Sequence, residues 1–123
     1  FCMSSTVRSE AYGVTMVEAM VMGKPVVATD ILGSGVPWVN VHGVTGLNTM
    51  VRDPGSLAAT LNALLADPNL RRRMGMAARA RYLREFNANV MTERTVELYE
   101  RVLAAHPHQQ ISEHSWTRSR LRS

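Results

Sequence analysis

The pattern of apolar and polar positions predicts two short buried strands with a helix between them. Residues 25–29, Pro-Val-Val-Ala-Thr, form a continuously apolar run that is typical of a strand covered on both faces. A helix is predicted from Val14 to Met22, because Gly23 can take the left-handed position after a helix and Pro25 prevents continuation. Residues 1–3 are predicted to end a preceding strand. This order of elements predicts a parallel βαβ unit.

After one more predicted strand at residues 47–51, the pattern becomes helical. Asp53-Pro54 and Asp67-Pro68 are helix-start signals, because the aspartate caps free amides and a first-position proline loses no hydrogen bond. Three amphipathic helices are predicted, the second near residues 69–85 and the third near 89–104. Their apolar stripes are Leu57, Leu61, Leu64 and Leu65, then Leu70, Met74, Ala77 and Ala78, then Met91, Thr95, Leu98 and Val102.

These elements predict an α/β fold over residues 1–105, with a parallel sheet followed by helices. Because the chain starts with Phe1 rather than Met and opens inside a strand, we expect an N-terminally truncated domain. A glycine-rich stretch, residues 33–37, follows the second strand. The basic tail, residues 106–123, has little periodicity and is expected to be poorly ordered.

Charge and composition narrow the class of protein. The formal net charge of the 123 residues is +4, and every basic residue except Lys24 is an arginine. Solvated helix faces explain this balance, and contact with an anionic membrane surface is the alternative. Nucleic acid is not an expected partner, because no aromatic residues alternate with the charges. The single cysteine, Cys2, fits a reducing compartment, so we expect a cytoplasmic location, with peripheral contact at the cytoplasmic membrane face left open.

The candidate chemistry lies in the segment after the first strand. Ligands of parallel sheets bind where loops leave the carboxyl ends of strands, and Glu10 lies in such a loop. The amides of Gly13, Val14 and Thr15 would be free first-turn donors, which favour an anion such as phosphate. Glu18 follows one turn later. Since a carboxylate accepts hydrogen bonds from a vicinal diol, the combination indicates a nucleotide sugar.

Each of these features also has a purely structural interpretation. Glu18 could be a carboxylate favoured by the helix dipole, and Glu10 could be a loop residue paired with Arg8. The glycines at 33–36 could form a simple turn after a strand. Spacing alone does not decide between these interpretations.

Glu10 and Glu18 have E-x7-E spacing, and the chain resembles the retaining GT-B glycosyltransferases of family 4 over about residues 1–86. The motifs that carry the resemblance are Ser9-Glu10-Ala11-Tyr12-Gly13, Glu18-Ala19-Met20, Gly23-Lys24-Pro25-Val26-Val27-Ala28, Gly43-Val44-Thr45-Gly46-Leu47, Asp53-Pro54, Leu57-Ala58 and Arg71-Arg72-Arg73-Met74-Gly75. The resemblance implies two Rossmann-like domains facing a cleft, with the nucleotide sugar bound mainly to the C-terminal one.

The resemblance further implies that Glu18 holds the ribose hydroxyls. It implies that Glu10 touches the donor sugar at the reaction centre, as a candidate electrostatic partner of the developing oxocarbenium ion. Family members use UDP-, GDP- or ADP-linked sugars, retain the anomeric configuration and usually need no metal, because protein donors and helix dipoles stabilise the departing diphosphate. The implied activity is transfer of a hexosyl group to a glycan, a lipid or a small molecule. The implied donor-binding residues are Glu10, Tyr12, Gly13, Val14, Thr15 and Glu18.

The chain departs from the family pattern in three respects. Trp38 stands where the loop usually carries a glutamate. The basic pair that neutralises the diphosphate lies upstream of the motif in the family, and Arg8 is too close to Glu10 to belong to it. The N-terminal acceptor domain is also missing, so the chain alone is expected to be inactive. A non-catalytic nucleotide-binding module and a GT-B relative, such as a sugar-nucleotide epimerase or a phosphorylase, remain alternatives.

Overall fold

A computed structural model describes residues 1–106 and confirms the predicted α/β class. The predicted tail therefore lies outside the described residues from position 107 onward. In chain order, the elements are β1 Cys2–Met3, α1 Val14–Val21, β2 Val26–Thr29, α2 Val36–Val39, β3 Gly46–Thr49, α3 Pro54–Ala66, α4 Pro68–Glu85 and α5 Ala88–Ala105.

The three strands form one parallel sheet in the order β1-β2-β3. Cys2 pairs with Val27, and Val27 pairs in turn with Leu47. All four residues of β2 are buried, as the apolar run predicted, because this central strand is covered on both faces. The carboxyl ends of all three strands consequently lie along one edge of the sheet.

Alternate residues of β2 contribute to different hydrophobic clusters. Val26 and Ala28 pack in the larger cluster with Met16 and Met20 of α1, whereas Val27 packs with Leu64 of α3. Helix α4 contributes to both clusters, Ala78 to the larger one and Met74 to the smaller one. The helices therefore cover both faces of the sheet, which holds the loops at its carboxyl edge in place.

The predicted helix ends are confirmed. Gly23 has φ 65° after α1, and its amide donates to the carbonyl of Met20. The carboxylates of Asp53 and Asp67 accept from the amides three residues later, each at 2.9 Å.

Two details of the sequence interpretation were wrong. The glycine-rich segment was expected to form only a turn, but helix α2 begins within it. Pro37 fits the first turn of this helix, because its nitrogen carries no hydrogen that would be left unpaired there. Leu65 is 69% exposed, because it lies about a quarter turn around α3 from Leu64, which faces the sheet.

The chain divides into two compact units, residues 1–90 and the part from Met91 onward. Most of α5 belongs to the second unit, and within the described residues none of its side chains is buried. No helix in the described part of the chain is long and apolar enough to cross a membrane. The candidate site lies in the first unit.

Candidate donor-binding site

Glu10 lies in the loop between β1 and α1, at the carboxyl edge of the sheet, and is half-buried. The hydroxyl of Ser5 donates to its Oε2 at 3.2 Å. The hydroxyl of Thr29, the last residue of β2, donates to the carbonyl of Ser5. The ends of two neighbouring strands thus hold the Glu10 loop. Within residues 1–106, Arg8 forms no ion pair with Glu10; its Nε donates instead to the carbonyl of Gly33 at 3.0 Å, which contradicts the proposed Arg8–Glu10 pairing.

Gly13 begins α1 in the left-handed conformation, with φ 73° and ψ 59°. No side chain of the described residues caps this helix, and the amides of Val14 and Thr15 find no acceptor there. The amide of Met16 is the first to be used, donating to the carbonyl of Gly13 at 2.8 Å. The free amides that the sequence predicted are therefore present, at a helix end that favours an anion.

Glu18 is exposed, one turn further along α1. It lies on the same side of the helix as Thr15 and Met22, because these residues are three and four positions apart. Together they line an open hollow of about 480 Å³. Phe1, Ala19 and Lys24 complete its lining. An exposed carboxylate beside a hollow of this size has room to accept hydrogen bonds from a bound sugar.

The glycine-rich loop after β2 packs directly against the Glu10 loop. The amide of Gly35 donates to the carbonyl of Ala11 at 2.6 Å, and a Cβ at position 35 would lie only 2.6 Å from that oxygen. A side chain is excluded by this contact, which is why glycine is required there. Together with the Arg8–Gly33 bond, this contact joins two neighbouring loops of the carboxyl edge.

The ring of Tyr12 is half-buried and packs against the larger hydrophobic cluster. Its centroid lies 6.2 Å from those of both Trp38 and Phe86. Burial raises the pKa of the Tyr12 phenol; nearby Arg81 opposes this shift, and Glu85 adds to it. The phenol therefore stays neutral well above physiological pH. Tyr12 is one of the predicted donor-binding residues. Its side chain packs within the protein, and its backbone leads into Gly13.

The geometry thus combines free amides and two carboxylates on one loop and one helix, with a hollow beside Glu18. The family model for glycosyl transferases group 1 matches residues 1–81, which include this whole arrangement. The chain belongs to the glycosyl transferases group 1 family.

Curated relatives of this chain agree with the family assignment. The chain is 36% identical over 84 residues to the D-rhamnosyltransferase WbpZ of Pseudomonas aeruginosa, covering 68% of this chain and 22% of that protein. It is 37% identical over 101 residues to the alpha-maltose-1-phosphate synthase of Mycolicibacterium smegmatis, covering 77% and 26%. The chain therefore spans about a quarter of the length of these relatives.

Solved structures agree as well. HepE of Anabaena in complex with UDP superposes with a TM-score of 0.75 at 28% identity, over 81% of this chain and 27% of that one. Sucrose-phosphate synthase of Thermosynechococcus elongatus superposes with a TM-score of 0.70 at 31% identity, over 76% and 23%. These matches confirm the resemblance to GT-B glycosyltransferases that the sequence indicated.

Sequence reasoning missed the residues that support the Glu10 loop of the candidate site. Thr29 and Ser5 form a chain of hydrogen bonds that ends at Glu10. The only feature of the sequence that could have indicated them is a hydroxyl side chain after β1 and another at the end of β2. Among residues 1–106, no three His, Cys, Asp or Glu side chains come together in a way that could hold a metal ion.

The arginines of α4 also have a role that the charge pattern did not indicate. Arg71 donates to the carbonyls of Leu64 and Leu65 in the last turn of α3. Arg79 donates to the carbonyl of Val21 at the end of α1, at 2.7 Å. Cations at these positions satisfy free carbonyls and favour the negative end of each helix dipole. Arg72, Arg73, Arg79 and Arg84 are exposed, as a solvated basic face predicts, and Arg71 and Arg79 in addition cap the ends of α3 and α1.

Proposed function

We propose that this chain binds the donor of a retaining glycosyltransferase, which transfers a hexosyl group from a nucleotide sugar to a glycan, a lipid or a small molecule. The observation that carries the proposal is the left-handed Gly13, which leaves the amides of Val14 and Thr15 free between two carboxylates. HepE, which superposes over most of this chain, has been crystallised with UDP and with UDP-glucose.

In this proposal, the diphosphate binds the free amides at the start of α1, where the helix dipole stabilises negative charge. Glu18 accepts hydrogen bonds from the ribose hydroxyls at the hollow that it lines. Glu10 lies at the donor sugar, where its negative charge stabilises the oxocarbenium ion that develops as the diphosphate leaves. The hydrogen bond from Ser5 orients its carboxylate for this role.

The same arrangement underlies a proposal of metal independence. Amide donors and the dipole of α1 act on the charge that a divalent cation would otherwise neutralise. We propose that binding and transfer proceed without a metal ion. EDTA is then expected to leave nucleotide affinity unchanged, and restoration of lost affinity by Mg²⁺ would contradict this part of the proposal.

Calorimetry of the 123-residue chain with UDP, GDP and ADP tests donor binding. One of these nucleotides is expected to bind, and E18Q is expected to weaken it at least about tenfold, because a charged acceptor contributes about 1.5–3 kcal/mol. E10Q is expected to leave nucleotide affinity nearly unchanged, since Glu10 is assigned to the sugar. E93Q, on α5, is the charge-matched control.

Transfer is tested in the full-length protein that contains this chain. E10Q is expected to lower kcat strongly with little effect on donor KM, whereas E18Q is expected to raise donor KM. Analysis of the product anomer tests retention. Failure of all three nucleotides to bind would contradict the donor-site assignment, and binding without transfer in the full-length protein would favour a non-catalytic module.

A further inference from the structure

Arg81 is an enclosed arginine of the first unit whose contacts donor binding does not explain. Its side chain is only 13% exposed. Nη2 donates to the carbonyl of Trp38 in α2 at 2.8 Å, and Nη1 contacts Oε1 of Glu85 at 3.1 Å. Its guanidinium carbon lies 5.6 Å from the ring centroid of Trp38 and 5.3 Å from that of Phe86. One side chain of α4 therefore engages both a carbonyl and a ring of α2.

Those rings connect Arg81 to the start of the donor-site helix. Trp38 and Phe86 meet edge to face at 5.4 Å, and the ring of Tyr12 lies 6.2 Å from each of them. Tyr12 directly precedes Gly13, whose left-handed backbone points the first amides of α1 outward. Helix α2 also follows Gly35, which is bonded to Ala11. The Trp38–Phe86 pair therefore supports the Glu10 loop from two directions.

The enclosure of Arg81 carries an energetic cost that packing alone would avoid. Its Nε is buried and has no hydrogen-bond partner within the described residues. A buried donor without an acceptor destabilises the folded chain, and an apolar side chain has no such donor to leave unpaired. Neighbouring Arg84 contacts the same carboxylate of Glu85 but is 66% exposed. The feature that distinguishes Arg81 is its contact with α2 and the aromatic rings.

We infer that Arg81 is a positioning residue of the donor site: its planar guanidinium holds Trp38 and Phe86 against Tyr12 and so holds Gly13 in the conformation that exposes the first amides of α1. The inference rests on the proposed donor binding for its functional consequence. A lysine at position 81 would keep the positive charge but lose the planar stacking on the rings and the simultaneous donation from two nitrogens. Methionine would keep much of the apolar packing and lose the carbonyl contact.

The test compares R81K and R81M with the control R84K, all in the W116F chain, where Trp38 is the sole tryptophan. Hydrogen exchange at residues 11–15 and Trp38 fluorescence are measured without ligand, and UDP affinity is measured by calorimetry. Both Arg81 variants are expected to exchange at least about tenfold faster over residues 11–15, to shift the Trp38 emission and to bind UDP about five to ten times more weakly. R84K is expected to match the parent in all three measurements.

R81M separates positioning from general stability. Arg84 still contacts Oε1 of Glu85 in R81M, so this carboxylate keeps a cation, but loss of one partner of the pair is expected to lower the unfolding midpoint. Exchange at residues 11–15 is expected to rise by more than this loss of global stability explains. Exchange and emission in R81K and R81M that equal those of R84K would overturn the inference. If the parent chain binds no UDP, the affinity comparison uses GDP or ADP, and the donor-binding proposal fails only if none of the three nucleotides binds. The ligand-free measurements decide the role of Arg81 in either case.

Discussion

Among single residues of the candidate site, Gly13 is constrained by its backbone conformation and by its neighbours. Its φ of 73° lies in the left-handed region, and the residue is buried. A Cβ added there would lie 2.6 Å from Cε of Met16 and 3.2 Å from Cε of Met3. Backbone conformation therefore favours glycine directly before the free amides, and a Cβ would also have to displace the end of the Met16 side chain.

Gly13→Ala is expected to destabilise the chain more than Gly43→Ala does. Gly43 has a similar φ of 77°, but a Cβ there meets nothing within 4 Å. G43A should therefore lose about 1 kcal/mol, the cost of left-handed alanine. G13A should lose about 1 kcal/mol more, because fully buried Met16 must move in a packed core. Urea unfolding of both variants measures the difference, and equal losses would show that the crowding at Gly13 is unimportant.

Among elements, helix α4 organises the ends of three other helices. Arg71, Arg79 and Arg81 each donate to a carbonyl in the last turn of α3, α1 and α2, respectively. Gly75 lets the helix approach, since a Cβ there would clash with the carbonyl of Gly23. Half of the six arginines in this helix therefore cap other helices, and the remaining three are exposed.

Arg79→Ala is expected to lower the free energy of unfolding by about 1 kcal/mol, because the last carbonyl of α1 loses a charged donor near the negative end of the dipole. The matched control is Arg72→Ala, an exposed arginine of the same helix, which should change stability by less than about 0.5 kcal/mol. Chemical denaturation in low and high salt measures both. Equal effects of the two substitutions would contradict the capping role of Arg79.

For the whole molecule, the sequence predicted the elements whose signals are local. The apolar run of β2, Gly23 after α1 and the caps Asp53 and Asp67 involve residues within a few positions of one another. Helix α2 was missed, because four residues with a proline carry too little periodicity to detect.

At the candidate site too, local features could be predicted from the sequence and long-range contacts could not. The loop and helix from Glu10 to Glu18 form one continuous segment, so the free amides could be predicted from sequence. Their supports could not, because the Thr29–Ser5 and Arg81–Trp38 bonds join residues 24 and 43 positions apart. Such pairs come together only through the packing of α4 and the sheet.

The second unit of the chain presents apolar side chains that the described structure leaves uncovered. Met91, Leu98 and Val102 of α5 are 52%, 48% and 50% exposed. Their spacing of seven and four residues places them on one side of the helix, in the stripe that the sequence predicted. Contiguous exposed apolar surface favours association with another apolar surface.

The isolated 123-residue chain is therefore expected to self-associate as its concentration rises. The double variant L98Q/V102Q should remain monomeric, because it removes half or more of the apolar stripe while leaving the first unit unchanged. L65Q is the control, since Leu65 is 69% exposed on α3 in the first unit and should not affect association. Sedimentation velocity over a concentration series measures the outcome. A parent chain that stays monomeric, or an equal effect of L65Q, would show that α5 does not drive association.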